Sequence, residues 1–353
     1  MPLREWGWDD GWAASVAGLG SGAGAPARVV GQGRDRWVVQ TGEGPALARS
    51  VTRSPLDPYP VVGDWVLAEP GPAPSDPLSV LRVIPRRSSF TRGSAGDGST
   101  EQVLAANVDV VWIVHGLDLP LNPRRLERYL AIAWESGAVP EVVLTKADLA
   151  ERPELAVAEV QGWAVGVTVR VVSIADPDSV ARLGRSLRPG RTVVLLGPSG
   201  VGKSTLVNML GPERMAATGP VREKGGKGRH TTTRRELFQV SGGALLLDTP
   251  GIRELRVWSL AEGLDQTFPE IEELARGCRY GDCRHESEPG CAVMEAERAG
   301  RLDPGRLASY RKLQAEAAYQ ARKTDVRARQ AALSEHKSAL KTVKFHHKFR
   351  GPG

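Results

Sequence analysis

The sequence predicts a multi-domain chain: an N-terminal β-barrel over residues 1–97, a central α/β domain over 98–257, and a C-terminal metal-bearing helical segment over 258–353. Three observations carry that division. Short apolar–polar alternations broken by Gly, Pro and Asp turns fill the first part, as a small barrel requires. Apolar strand runs alternate with helical patterns in the second, the pattern of a parallel sheet covered on both faces. In the third, strand patterns stop and a Cys/His cluster precedes helical sequence.

In the barrel the runs are Arg36-Trp37-Val38-Val39-Gln40, Gly63-Asp64-Trp65-Val66-Leu67-Ala68 and Leu78-Ser79-Val80-Leu81-Arg82-Val83-Ile84. The Gly/Ala/Pro/Ser-rich patches 18–26 and 69–77 read as loops, and residues 101–107 as a link into the next domain. There, residues 110–114, 142–144, 169–172, 193–196 and 245–247 read as strands and 124–133 as a helix. Residues 304–340 read as helical, followed by the acid-free end Lys341–Arg350. Trp6, Trp8 and Trp12 suggest no function and are expected to pack on the barrel.

Composition bounds the function. With 41% hydrophobic and 25% charged residues in 353, the chain is expected to be globular rather than disordered. No uncharged apolar run reaches membrane-spanning length, and Met1-Pro2-Leu3-Arg4-Glu5-Trp6 lacks a secretory pattern, so a cytoplasmic protein without membrane contact is expected. Nothing demands an oligomer, so a monomer is expected. A formal net charge of +6 favours a polyanionic partner.

The strongest motif is Gly197-Pro198-Ser199-Gly200-Val201-Gly202-Lys203-Ser204-Thr205, which follows an apolar strand and runs into helical Leu206–Leu210. Its glycines let backbone N–H groups close around phosphate oxygens, and the helix N-terminus adds positive potential. Lys203 can reach the β- and γ-phosphates and Ser204 can ligate Mg²⁺. Asp248, at the end of the strand 245–247 and opening Asp248-Thr249-Pro250-Gly251, is the second carboxylate on the Mg²⁺ side, and the Gly251 N–H can sense the γ-phosphate.

Between them, residues 221–233 form a basic, glycine-rich stretch suited to a switch loop, in which Thr232 (Thr231 second) can complete the Mg²⁺ shell. Ile252 stands where a water-positioning Gln would be, so slow intrinsic hydrolysis is expected, and His230 is the candidate to orient water. The catalytic candidates are thus His230, Thr232 and Lys203.

Thr145-Lys146-Ala147-Asp148 ends another strand and resembles an N-K-x-D guanine motif. Asp148 would accept from the N1–H and 2-amino groups of guanine, a pair adenine cannot supply, and the Lys146 stem would lie against the base. Thr145 replaces Asn, with loss of one carboxamide contact. Ser173-Ile174-Ala175 is a looser match to a second base-side loop. The base-reading loop precedes the phosphate loop, a circularly permuted order. The 248–251 switch therefore leads directly towards the C-terminal part, and relay of nucleotide state through residues 252–277 is expected.

Cys278, Cys283, His285 and Cys291 place three thiols and one imidazole within fourteen residues, the donor set of a closed, structural Zn²⁺ site.

Taken together these residues resemble one family, the ribosome small subunit-dependent GTPase A family of circularly permuted GTPases. The resemblance includes Val61-Val62-Gly63-Asp64-Trp65-Val66, residues 101–109, Gly197–Ser204, Gly228-Arg229-His230-Thr231-Thr232-Thr233, Cys278–Glu286 and Glu288–Val293. It implies an OB-fold barrel, a permuted GTPase domain and a zinc module. It also implies GTP hydrolysis to GDP and phosphate, stimulated by the small ribosomal subunit late in that subunit's assembly, with release afterwards. RNA contact has separate support. Trp65 can stack on a base or pack in the core, and residues 321–350 hold nine Lys/Arg against two acids, with Phe345 and Phe349 interleaved, which points to rRNA.

Overall fold

A computed structural model describes residues 2–19, 24–33, 36–50, 58–73, 75–93, 101–211, 235–240, 242–248 and 261–319. The chain divides into two compact units, Met1–Phe90 with Val103–Leu255, and Thr91–Gln102 with Arg256–Gly353.

The first unit begins with helices α1 (Pro2–Glu5) and α2 (Asp10–Ala17). Asp9 caps α2 by accepting from the Trp12 N–H at 2.9 Å. Five strands follow: β1 (Ala25–Gln32), β2 (Trp37–Gln40), β3 (Pro45–Ser50), β4 (Trp65–Glu69) and β5 (Leu78–Val83). They pair in the order β1-β2-β3-β5-β4 and β4 returns to β1, so the barrel closes; only the β3–β5 pair is parallel. Alternation sends Val29, Trp37, Val39, Ala48, Val66 and Val80 into its core.

Gly63, at φ 95°, leads into β4 where an added Cβ would meet the Ala106 carbonyl oxygen at 2.0 Å. Beside it, the buried Asp64 carboxylate takes both Nε and Nη2 of Arg86 at 2.8 Å and the Val61 N–H at 2.8 Å.

The tryptophan cluster packs on the outside of this barrel, as expected. Trp65 is fully buried with Trp12, Leu67 and Ile84, and Trp8 stands edge-on to it at 4.8 Å. That burial removes Trp65 from base stacking.

Strands β6 (Ser89–Gly93) and β7 (Glu101–Ala106) form a two-stranded sheet, so the expected link is itself a strand. The α/β part contains β8 (Val110–Gly116), α3 (Pro123–Glu135), β9 (Val139–Thr145), α4 (Pro153–Trp163), β10 (Thr168–Val171) and α5 (Pro177–Arg185). It continues with β11 (Thr192–Leu196), α6 (Lys203–Leu210), β12 (Arg235–Gln239) and β13 (Leu245–Asp248).

Helices α3 and α5 start as their sequences dictate: Asn122 and Asp176 cap them and Pro occupies the first turn. The strand order is β10-β9-β8-β11-β13-β12, all parallel but β12. Every residue of β8 and β11 is buried, which fits their unbroken apolar runs. β12 also pairs antiparallel with β1, so barrel and α/β sheet are one eleven-stranded sheet.

The second unit contains α7 (Ala261–Thr267), α8 (Pro269–Ala275), α9 (Ala292–Arg298) and a helix α10 over 304–319. Phe268, Ile271, Val293, Leu307 and Tyr310 fill its core. Arg306 ties α10 to this end of the unit, through Glu270 at 2.7 Å and the Thr267 carbonyl at 3.1 Å. Among the described residues no helix is long and apolar enough to cross a membrane.

Candidate nucleotide and metal sites

The parallel strands end on one edge of the sheet, and that edge collects the motifs. β9 ends at Thr145, β10 leads to Ser173, and β11 leads to Gly197. Thr192 pairs with Leu245 and Val193 with Leu246; carrying that register forward sets Asp248 beside Leu195, just before the phosphate loop. From β8 the chain runs outward through β9 and β10, then returns to place β11 on the other side of β8. The phosphate loop therefore leaves the sheet at its switch point, where open α/β sheets bind ligands.

The loop's glycines are there for geometry. Gly197 has φ 146° and lies so close to β8 that a Cβ would meet the Val114 carbonyl oxygen at 2.4 Å. Gly202, at φ 95°, precedes α6 and offers no side-chain cap, leaving first-turn N–H groups for a ligand. Lys203 is buried, and its ammonium donates to the Gly197 carbonyl at 2.7 Å and to that of Pro198. The cation is thus held at the centre of the loop, where phosphate oxygens would gather.

A cavity of about 240 Å³ joins the two halves of the site: Thr145, Lys146, Val172 and Ile174 line it from the base side, and Ser199, Gly200, Gly202, Lys203, Ser204 and Thr205 from the phosphate side. Ala147 and Asp148 are not part of that lining. They form a short 3₁₀ turn with Leu149, and the Ser173 hydroxyl donates to the Asp148 carboxylate. The Ser173 oxygen in turn accepts the Ala175 N–H at 3.0 Å, so the loosely matched second loop is what orients Asp148.

Two further residues act here that the sequence did not single out or misjudged. Asp118 accepts from the Lys146 ammonium at 2.6 Å, and that bond holds its carboxyl below the usual range. Lys146 itself sits at φ 56°, the left-handed region, which turns the chain sharply after β9. Thr145 does more than stand in for Asn. Its buried hydroxyl donates to the Val201 carbonyl at 2.6 Å and lies 3.2 Å from the His115 carbonyl, tying the base loop to the phosphate loop. His230, Thr232 and Gly251 lie outside the described residues, as does the basic tail.

In the second unit the ligand atoms of Cys278, Cys283, His285 and Cys291 lie within 4.8 Å of one another. The Cys278 and Cys291 sulfurs are 3.9 Å apart, and His285 Nδ1 is 3.6 and 3.5 Å from them. Tetrahedral Zn²⁺ with ordinary bond lengths sets sulfurs about 3.8 Å apart and sulfur and nitrogen about 3.6 Å apart, so the donor set fits.

Without a cation three thiols cannot all ionise side by side. Desolvation and the neighbouring thiols push Cys283 up to about 11. Burial also works against the Cys278 thiolate, but the Val293 and Ala292 N–H groups bring that thiol below its ordinary value. The Cys291 sulfur caps α9, accepting from the Met294 N–H at 3.5 Å.

Glu288, which sequence reasoning left without a role, organises the loop between the ligands. Its carboxylate takes the N–H groups of Arg284, Glu286 and Ser287 at 2.8, 2.9 and 3.0 Å, and those bonds pull its pKa down to about 2.

Comparison with known proteins agrees with this geometry. The RsgA GTPase family model matches residues 83–258. A small ribosomal subunit biogenesis GTPase RsgA from Opitutus terrae is 45% identical over 341 residues, covering 92% of each chain. The protein of that name from Streptomyces coelicolor is 45% identical over 340 residues, covering 95% of this chain and 92% of its own. The fold is similar to the crystal structure of YjeQ from Thermotoga maritima, with TM-score 0.62 and 23% identity over 83% of this chain and 98% of that one. It is also similar to YloQ, a circularly permuted GTPase, with TM-score 0.59 and 24% identity over 84% and 96% of the two chains. The upstream base loop, the downstream phosphate loop and these likenesses together identify the chain as a circularly permuted GTPase that belongs to the RsgA GTPase family.

Proposed function

We propose that this GTPase acts on the small ribosomal subunit late in its assembly, hydrolysing GTP to GDP and phosphate under stimulation by the subunit and then leaving it. The observation that carries the reading is the single cavity lined by Thr145 and Lys146 on one side and by Gly202, Lys203 and Ser204 on the other, although 56 residues separate Thr145 from Val201 in the chain. The relatives named small ribosomal subunit biogenesis GTPase, at 45% identity, support the partner.

In this reading Asp148, oriented by Ser173, selects guanine, and the Lys146 stem, steered by Asp118, covers the base. Lys203 exchanges its loop carbonyls for phosphate oxygens. Ser204, Asp248 and Thr232 hold Mg²⁺, which when bound neutralises charge on the β- and γ-phosphates. The Gly251 N–H senses the γ-phosphate and His230 orients water. Cys278, Cys283, His285 and Cys291 hold a structural Zn²⁺.

The barrel's order, with a parallel β3–β5 pair and closure of β4 on β1, supports an OB fold, a class that binds nucleic acid on one face. With the basic tail it would grip rRNA, the chain acting as a cytoplasmic monomer. GTP hydrolysis measured alone, with small subunits and with large subunits tests the reading. Acceleration by small subunits alone is expected; equal acceleration by both, or none, overturns it. Tighter binding of ATP than of GTP would remove Asp148 from base selection.

A further inference from the structure

The first unit holds a second cavity, of about 470 Å³, within the size range of small-ligand sites (about 300–1,000 Å³). It lies at the opposite edge of the sheet from the nucleotide, where β8, β9 and β11 begin: Asp109, Val139 and Arg191 line it together with Trp8 and Arg28. Five of its lining residues are arginines (Arg4, Arg28, Arg87, Arg188 and Arg191) and two are carboxylates (Asp9 and Asp109).

Both carboxylates are already engaged. Asp9 receives the Arg87 fork at 2.6 and 2.7 Å. Asp109 faces Arg191 at 3.3 Å and takes the Thr192 N–H at 2.7 Å.

Arg28 has no carboxylate of its own. It is 2% exposed and donates only to neutral oxygens: the Trp6 and Asn107 carbonyls at 3.0 and 3.2 Å and the Thr192 hydroxyl at 3.0 Å. Its Nε is buried with no hydrogen-bond partner among the described residues. The guanidinium lies over the Trp65 ring at 5.0 Å, and burial lowers its pKa to about 10 although the Asp109 and Asp64 carboxylates act in the opposite direction, so they offset its desolvation only in part. At the exposed rim, Arg188 makes no ion pair with a described residue, and Arg4 pairs only with the exposed Asp10 at 3.2 Å, a contact released at little cost.

We propose that this cavity is a second phosphate site, separate from the nucleotide site, with Arg28 at its floor and Arg4 and Arg188 at its rim. Guanidinium groups match phosphate oxygens in paired hydrogen bonds, and three cations without a committed carboxylate supply the charge such a group needs. The oxygens belong either to a phosphodiester of an RNA strand or to free phosphate, and the two sources separate experimentally.

The full chain, loaded with GDP and Mg²⁺ so that the nucleotide site is filled, is titrated with inorganic phosphate by calorimetry and with a short fluorescent oligouridylate by anisotropy. The Arg4→Ala/Arg188→Ala variant is expected to lose about tenfold in affinity for at least one probe, and to lower the salt slope of RNA binding by about 1–2. Loss confined to RNA assigns the strand; loss of phosphate binding, with or without RNA, assigns the free anion. Unchanged affinity for both probes overturns the proposal.

Basal GTP hydrolysis and the unfolding midpoint of the variant should match the unmodified chain. If the midpoint falls, Arg188→Gln alone, a single exposed change, repeats the comparison with the same outcomes. Turnover with small subunits is read separately, so failure of this site leaves the proposed function standing.

Discussion

Thr145→Val isolates the bond that joins the base loop to the phosphate loop. The hydroxyl donates to the Val201 carbonyl at 2.6 Å and the residue is 4% exposed, so valine keeps the shape while deleting the donor. A buried carbonyl left unsatisfied costs about 1–3 kcal/mol. The phosphate loop escapes that cost only by shifting, and a shifted loop no longer aims its N–H groups at phosphate oxygens. If about 1–2 kcal/mol of the cost falls on binding, affinity drops about 5–30-fold, since about 1.4 kcal/mol is tenfold. GTP and GDP should weaken alike, because the phosphates proposed for the perturbed loop are common to both. Preference for guanine should survive, because Ser173 still orients Asp148. Thr145→Ser, which restores the hydroxyl, should recover most of the loss. Calorimetric titration of the three proteins with GDP is the assay. Unaltered affinity in Thr145→Val, with its thermal midpoint also unaltered, would show that this bond organises nothing.

Two other outcomes follow from the same geometry. Asp148→Asn removes the charged acceptor proposed for two guanine donors; at about 1.5–3 kcal/mol for hydrogen bonds to a charged group, GTP affinity should fall about 10–150-fold and the preference over ATP should collapse. An undiminished preference in a competition assay would take Asp148 out of base reading. In the second unit, the Cys283 thiol at about 11 is protonated at neutral pH. A metal entering the cluster must therefore displace that proton, so affinity should rise with pH and protons should be released on binding. Calorimetry of zinc binding in two buffers of different ionisation enthalpy reads the release; identical heats would contradict it.

What was legible in the sequence was what has a local cause. The phosphate loop is a run of glycines whose conformations other residues rarely adopt, and the metal cluster is a donor set within fourteen residues. Strands buried on both faces announce themselves as apolar runs. β12, Arg235-Glu236-Leu237-Phe238-Gln239, was not foreseen: two apolar residues among five carry no period, and β1, one of its two pairing partners, lies far upstream. Thr145 looked like a loss because its compensating acceptor, Val201, is 56 residues away. Asp118 and Glu288 sit in turns where an acid is ordinarily just solvated. Trp65 was ambiguous until Trp8 and Trp12, more than fifty residues upstream, covered it. The expected relay through residues 252–277 begins at positions outside the described residues.

Register pairs among the described residues link the strand of Asp248 to the barrel. Glu236 of β12 pairs on one side with Asp248 of β13 and on the other with Gly31 of β1. The residue that meets Asp248, the carboxylate proposed for the Mg²⁺ side, thus also meets the barrel in register. Among the described residues the joint to the barrel is two register pairs, Gly31 with Glu236 and Gln32 with Arg235. At about 0.5–1.5 kcal/mol net per hydrogen bond it carries about 1–3 kcal/mol, the scale of ordinary coupling between distant sites. A coupling of that size can be altered by a change at Asp248. The neighbouring Gly33 N–H donates to the Arg36 carbonyl on the β2 side, so the Gln32 amide points the other way, towards β12. That amide should accordingly exchange hydrogen at different rates in GTP-loaded and GDP-loaded protein. Equal protection in both states would uncouple the barrel from the carboxylate and return the relay to the segment that follows Gly251.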